Sequence, residues 1–347
     1  MGLYTLWKRV DVRVKRLLLP ENPMLVGYTD LPDKTLGVQL TPFEITGWDG
    51  HKVQACLVRK SAHEGELTPR QLTLLDHLAG AELEELSGVD FALVSVDWDH
   101  GIRSALPLAE QLAAAGITCV LWEPRGSGSA RPWCTHGLHE SRDIPLLIQA
   151  LENQTGRKDM LIVGVGEGFG AGLMLQAAAV EPRLRAVVAI NPSASLNKIL
   201  KRAQVSTPMR ELIGWRMSQL TGLEPFDIAA VKSAASIARE VPVLVIYHPE
   251  DDPAASSQDD AVAIFTQLKS DSKRLIAPRS EKDAPDAPTR TVVYSPDGGS
   301  REVQQRVEVE LISDAETIPV ETLLWLNAQV QPLQEQPLPS ATPTPDR

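Results

Sequence analysis

The residues whose spacing is best suited to chemistry are Gly166-Glu167-Gly168-Phe169-Gly170. They follow the apolar run from Leu161 to Val165 and precede a stretch rich in Ala, Gly and Leu. This pattern predicts a buried strand, a sharp turn and a helix. Glycines flanking a turn apex are what a strand-to-helix turn needs when it displays a nucleophilic side chain, because Cβ atoms beside the apex would strike the backbone. Here Gly168 itself occupies the apex, and from Gly156 through Pro192 there is no Ser, Thr or Cys. The steric requirement of the turn is kept while its hydroxyl or thiol is missing. A GxGxxG dinucleotide fingerprint is an alternative reading of Gly164, Gly166 and Gly168. That fingerprint belongs at the first strand, with an acidic residue ~20 positions on. Several strand-like runs precede this one, and Glu181 comes too early, in a loop before Pro182.

Other groups near this turn offer weaker candidates. Glu167 is a carboxylate one residue before the apex, although adjacent side chains on such a turn diverge. Cys134 has His136 and His139 nearby, and thiol with imidazole is a catalytic pairing; a partly buried thiol beside surface imidazoles is the plainer reading. Ser193 follows a strand-like run, and its plainer role is to cap the helix beginning near Leu196. Cys56, Cys119 and Cys134 lack CxxC spacing, and His136 with His139 is an i, i+3 pair without further ligands, so no metal and no cofactor is expected.

The elements around the turn give it a family context. Phe91–Val96 reads as a short strand followed by Asp97-Trp-Asp-His100-Gly101 and an amphipathic helix from Ile102 to Ala115. Ile117–Trp122 is a second strand, ending in Glu123-Pro-Arg125-Gly126-Ser-Gly128-Ser129. His139-Glu-Ser-Arg-Asp143 then leads into a helix from Ile144 to Glu152. In order and spacing these motifs resemble the α/β-hydrolase superfamily, in its esterase- and peptidase-like branch, over roughly residues 41 to 330. The arginine turn resembles that family's D-x-R-G-x-G-x-S segment, with Glu123 in place of aspartate. The resemblance implies an α/β fold with a mostly parallel, doubly wound sheet, helices on both faces and a helical cap.

It also implies where a catalytic triad would stand. The nucleophile position is Gly168. Val241–Tyr247 resembles the strand before the triad acid, and His248-Pro-Glu-Asp-Asp252-Pro253 matches the acid loop at Asp252; a solvated acidic turn reads equally well. The histidine should follow the acid in chain order. The seven histidines are His51, His63, His77, His100, His136, His139 and His248, so none follows Asp252. An oxyanion pocket is expected from the Phe169 amide and the loop His100-Gly101-Ile102.

The chain has 347 residues, 43% hydrophobic and 23% charged, with a formal charge of −11, which argues against a general nucleic-acid binder. Residues 1–19 differ, with Lys8, Arg9, Arg13, Lys15 and Arg16 against Asp11, a local +4 that leaves −15 for the rest. Leu3, Leu6, Trp7, Val10, Val14, Leu17 and Leu18 share a helical stripe that either packs on protein, the commoner arrangement, or lies on an anionic membrane surface. The expected organisation is a basic amphipathic arm (1–40), a hydrolase-like domain (41–330) with a helical insertion (61–90) and a cap (195–240), and a disordered Pro-rich tail (331–347). Three unpaired cysteines and no secretory segment suggest a cytoplasmic setting. The function expected is that of a catalytically degenerate hydrolase-fold protein that binds a small-molecule ligand or a protein partner, with no nucleic acid. The alternatives are an active ester or acyl hydrolase using non-standard residues, and a peripheral membrane scaffold held by residues 1–19. Oligomeric state is not legible.

Overall fold

A computed structural model of the protein describes residues 3–18, 37–61, 74, 88–95, 102–123, 125–126, 133–224, 229–248, 257–280, 283–284, 287–294, 305–313 and 318–335. The strands among them are β1 (Val38–Thr46), β2 (Lys52–Lys60), β3 (Phe91–Ser95), β4 (Thr118–Trp122), β5 (Ile162–Glu167), β6 (Leu184–Ile190), β7 (Val243–Ile246), β8 (Lys273–Pro278), β9 (Thr289–Tyr294) and β10 (Gln305–Ile312). They form one sheet in the order β1-β2-β4-β3-β5-β6-β7-β8-β10-β9. From β4 to β8 every neighbouring pair is parallel, as is β8 with β10, whereas β1–β2, β2–β4 and β9–β10 are antiparallel. The glycine run therefore ends the fifth strand and not the first, and the strand order is not that of a dinucleotide fold, which removes the fingerprint alternative.

Helices cover both faces of this sheet. Alternate residues of β6 show why: Val187 and Ala189 face one core cluster, Ala186, Val188 and Ile190 the other. The first cluster takes its helical side chains from α3 (Ile144–Thr155), α4 (Phe169–Ala178), α7 (Ala230–Ala234) and α8 (Gln258–Gln267). The second takes them from α2 (Ile102–Ala114) and α9 (Ile318–Glu335). Strands buried on both sides read as continuous apolar runs, which is why β5 to β7 were visible as strands at all.

The region between β6 and β7 holds α5 (Leu196–Arg202), α6 (Thr207–Thr221) and α7. Asp260 at the start of α8 is fully buried and pairs with Lys198 and Arg202, fastening α5 to the body. Ser193 does not cap α5. Ser195 does, its hydroxyl accepting from the Lys198 amide at 3.3 Å, because it is the residue with extended backbone immediately before the first helical turn. At the other end, the final helix does not stop at Val330 as the Gln- and Pro-rich composition suggested. It continues to Glu335, since Leu333 is buried and its carbonyl accepts from Arg185 at 3.0 Å. The rest of the expected tail, and nearly all of the expected insertion, lie outside the described residues.

The basic arm is α1 (Leu3–Leu18), and the part of its apolar stripe from Val10 to Leu18 is packed against protein, whereas Trp7 is 42% exposed. Val10, Val14 and Leu18 pack with Leu196, Leu200, Ile213 and Met217 of α5 and α6. Each such side chain contributes about 1.5–3 kcal/mol when removed from water. Asp11 pairs with Arg216 at 2.7 Å. The helix end is held by two bonds: Cys134 N–H donates to Leu18 O at 3.0 Å, and His136 Nε2 to Leu17 O at 2.9 Å.

His136 makes this anchor pH-sensitive. Burial pulls its imidazole down to about 4, although the bond to Leu17 favours the protonated ring. The unfolded chain, at ~6.5, then binds a proton that the folded chain refuses. Its contribution to stability is complete above ~6.5 and is lost as pH falls toward about 4. His136→Gln should flatten the fall in urea-unfolding free energy across that window, and should lower stability at neutral pH by about 1 kcal/mol through the lost bond.

Candidate functional site

In a parallel sheet the place for a ligand is the crevice beyond the carboxyl ends of the strands, where the order reverses. Here β3 lies between β4 and β5, so the reversal falls at the carboxyl ends of β3 and β5. Gly168 follows β5 directly, with φ 54° and ψ −116°, a strained conformation for any residue with a Cβ, and Phe169 begins α4. Gly168 N–H donates to Ile190 O at 2.9 Å, pinning the apex to the end of β6. A Cβ on Gly166 would lie 2.2 Å from the Gly170 carbonyl oxygen and 2.5 Å from the Ala171 nitrogen. The glycine spacing is thus explained by strand and helix backbones that nearly touch, as in a nucleophile elbow.

Three polar side chains gather at the ends of β5, β6 and β7. Glu167 closes β5. Asn191 follows β6 with φ 49°, is fully buried, and its Oδ1 accepts from His248 N–H at 2.9 Å. His248 follows β7, and its Nε2 stands 4.0 Å from Glu167 Oε1. The sequence reading named Glu167 but missed Asn191 and His248. Their signal was position alone: each comes one or two residues after a fully buried strand run, where this architecture exposes side chains to the crevice.

The loop beside the elbow is braced from within. Glu140 is buried; its carboxylate accepts from Thr135 N–H at 2.7 Å, Thr135 Oγ1 at 2.6 Å and Gly137 N–H at 2.9 Å. Burial pushes this carboxyl up, and the three donors offset part of that. Gln176 of α4 donates to His136 O at 3.0 Å, and the His136 ring meets the Phe169 ring edge-on, centroids 6.2 Å apart. Behind this loop, Arg125 is buried and donates to both Asp143 oxygens (2.9 and 3.0 Å) and to Asp49 (2.7 and 3.2 Å). Burial would raise the Asp49 carboxyl, but the bonds from Arg125 and His51 hold it well below the usual carboxylate range.

The remaining candidates fare differently. Cys134 is fully buried, and burial together with the Glu140 charge pushes its thiol well above the ordinary range, the opposite of an activated thiolate. Its expected partners are engaged elsewhere. His136 is an anchor for α1, and the His139 ring stands edge-on to Trp48 at 4.9 Å, its imidazole lowered by burial and by Arg125 and Arg142. The expectation of a partly buried thiol beside surface imidazoles is corrected accordingly for Cys134 and His136. Ile102 is the buried first residue of α2. His100, Gly101 and Asp252 lie outside the described residues. Among the described residues no group of three His, Cys, Asp or Glu is placed to hold a metal ion.

Comparison with solved structures shows the same architecture. An esterase of Pyrococcus furiosus, Pf2001, superposes with a TM-score of 0.55 at 16% identity, over 91% of this chain and 98% of that one. Brefeldin A esterase, a bacterial homologue of human hormone-sensitive lipase, superposes with a TM-score of 0.51 at 14% identity, over 96% of this chain and 84% of that one. The chain has the α/β-hydrolase fold. By sequence, an acyltransferase of Aspergillus calidoustus, drtE, is 26% identical over 131 residues, 37% of this chain and 42% of that protein. The matched part thus spans less than half of the relative's length. No family model matches the chain.

The elbow's contacts predict opposite outcomes at two of its glycines. Gly166→Ala should lower the urea-unfolding free energy by about 1–3 kcal/mol or more, because its Cβ meets fixed backbone. Gly172→Ala, whose Cβ would meet only Ala230 Cβ at 3.8 Å, should be neutral or stabilising by up to ~1 kcal/mol through helix propensity.

Proposed function

We propose that this protein is a catalytically degenerate member of its fold that works by binding a small-molecule ligand or a protein partner at the carboxyl ends of β5, β6 and β7. The observation that carries this reading is Gly168 at the elbow apex. Serine hydrolases attack through a side chain at that position, activated by a histidine that follows the acid in the chain. This chain has hydrogen at the first position and no histidine beyond His248. What the crevice retains is binding equipment: the Phe169 amide at the start of α4, Glu167, His248 and the half-buried Phe169 ring. A cytoplasmic setting belongs to the same reading, supported by three buried cysteines that form no disulfide. Among the described residues no helix is long and apolar enough to cross a membrane.

One observation favours a second reading, an ester or acyl hydrolase working without a covalent intermediate. With Glu167 at 4.0 Å, His248 has a carboxylate to stabilise an imidazolium, so the pair would serve as a general base for water. Such a base contributes ~10²–10⁴-fold, and its loss would be correspondingly visible.

Purified protein should hydrolyse short-chain p-nitrophenyl esters at the buffer rate and take no label from a fluorophosphonate probe. Turnover that disappears in both Glu167→Gln and His248→Asn would replace the binding reading with the second. Gly168→Ser supplies the hydroxyl without a base after the acid. It should give folded protein with little gain in esterase rate, destabilised by about 1–3 kcal/mol because serine must adopt the apex angles.

A further inference from the structure

The packing of α1 has a reverse side. Its buried stripe of Val10, Val14 and Leu18 turns the remaining positions outward, and Lys8, Arg9, Val12, Arg13, Lys15 and Arg16 are all exposed. At 100° per residue every cation of the helix falls on this outer face. Lys8, Arg9, Val12, Arg13 and Arg16, with Met209 from α6, line an open groove of about 520 Å³. Val12 stands among these cations and is 47% exposed. Trp7, seven residues before Val14, lies instead on the stripe side, its ring packed on Trp215 of α6 with centroids 5.5 Å apart. Because α5 and α6 cover Val10, Val14 and Leu18, contact with a bilayer falls to the opposite face of the helix.

We propose that the outer face of α1 is a docking surface for an anionic lipid bilayer, contacted through its five cations and the exposed Val12 among them. Charge complementarity is the first argument. The local +4 of residues 1–19 sits on a chain whose remainder carries −15, so a polyanionic surface attracts this face and repels the rest, which fixes orientation as well as contact. The second is the make-up of the face: long Lys and Arg stems carry charge to headgroup phosphates around a small exposed apolar group, Val12. Single-stranded nucleic acid is held by aromatic faces on which bases stack, and none of the described residues lining the groove is aromatic. Docking in this way leaves α1 between the bilayer and the cap helices α5 and α6. The proposal does not rest on what the crevice at Gly168 binds.

The test is flotation of the full chain with vesicles of phosphatidylcholine alone, or of phosphatidylcholine containing phosphatidylserine. Binding is expected only with phosphatidylserine, and should be abolished at ~0.5 M salt, where the Debye length is a few ångströms. Arg9→Glu/Arg13→Glu/Arg16→Glu should weaken it about 100-fold or more, whereas Lys60→Glu/Lys158→Glu/Lys269→Glu, an equal charge change at exposed positions elsewhere, should leave binding within about twofold. Val12→Asp should weaken binding as well, whereas Trp7→Ser, on the other side of the helix, should leave it within about twofold. If the triple arginine variant fails to fold, Arg9→Gln/Arg13→Gln is read instead, with a loss of about tenfold expected. Equal recovery on neutral vesicles, unchanged binding in the arginine variants, or no vesicle binding beside tight retention of a single-stranded oligonucleotide or polyglutamate would each overturn the proposal.

Discussion

The interaction on which the rest of this structure leans is a buried guanidinium. Arg125 cannot discharge, so its removal from water is tolerated only because two carboxylates and a tryptophan face complete its surroundings. Asp143 grips it side-on, Asp49 takes the other edge, and the Trp48 ring lies 5.1 Å away. These groups come from three separate stretches of chain: the turn between β1 and β2, the segment after β4, and the start of α3. One charge therefore fixes three connections. Removing Arg125 itself would leave Asp49 and Asp143 as carboxylates without their cation, a fault typically worth about 3–5 kcal/mol.

From that knot, polar contacts run without interruption to the elbow. Asp143 and Glu140 belong to one short 3-10 turn and its cap, Glu140 holds Thr135 and Gly137, and the His136 carbonyl is held by Gln176 of α4. Neutral donors around a buried carboxylate rigidify a loop only when each finds its acceptor, and here each of the three does. The glycine apex is accordingly set by its surroundings from both sides, by Ile190 O on the sheet and by the braced loop against α4. A turn so constrained keeps its shape whether or not a reactive side chain stands on it.

Much of this was legible beforehand because it resides in short-range patterns. The strands β5 to β7 are continuous apolar runs, the glycines sit at fixed offsets around a turn, and Arg125 and Asp143 lie inside recognisable local motifs. What sequence could not supply was which of these segments meet. Nothing in the spacing of Trp48 and Arg125 says that one stacks on the other. Asn191 and His248 were overlooked for the same reason: their part depends on strands 57 residues apart being neighbours. The error at the last helix had another source. Gln and Pro content argued for a disordered tail, but one buried leucine and one arginine-held carbonyl outweigh composition locally. Ser193 and Ser195 are the same residue type two positions apart, and which of them caps α5 is decided by where the first helical turn begins, which no residue-type rule fixes.

The arm and the cap meet across a long stretch of chain: Asp11 and Arg216 are 205 positions apart. A ribosome makes α1 well before α6, at ~5–20 residues per second, so some ten seconds or more separate the two. A helix of 16 residues is marginal by itself, and its contact with the cap carries the loop-closure entropy of everything between. For that interval the emerging chain carries a basic amphipathic segment with neither side covered. Any factor that engages such segments on nascent chains competes with the cap for the same three side chains, Val10, Val14 and Leu18.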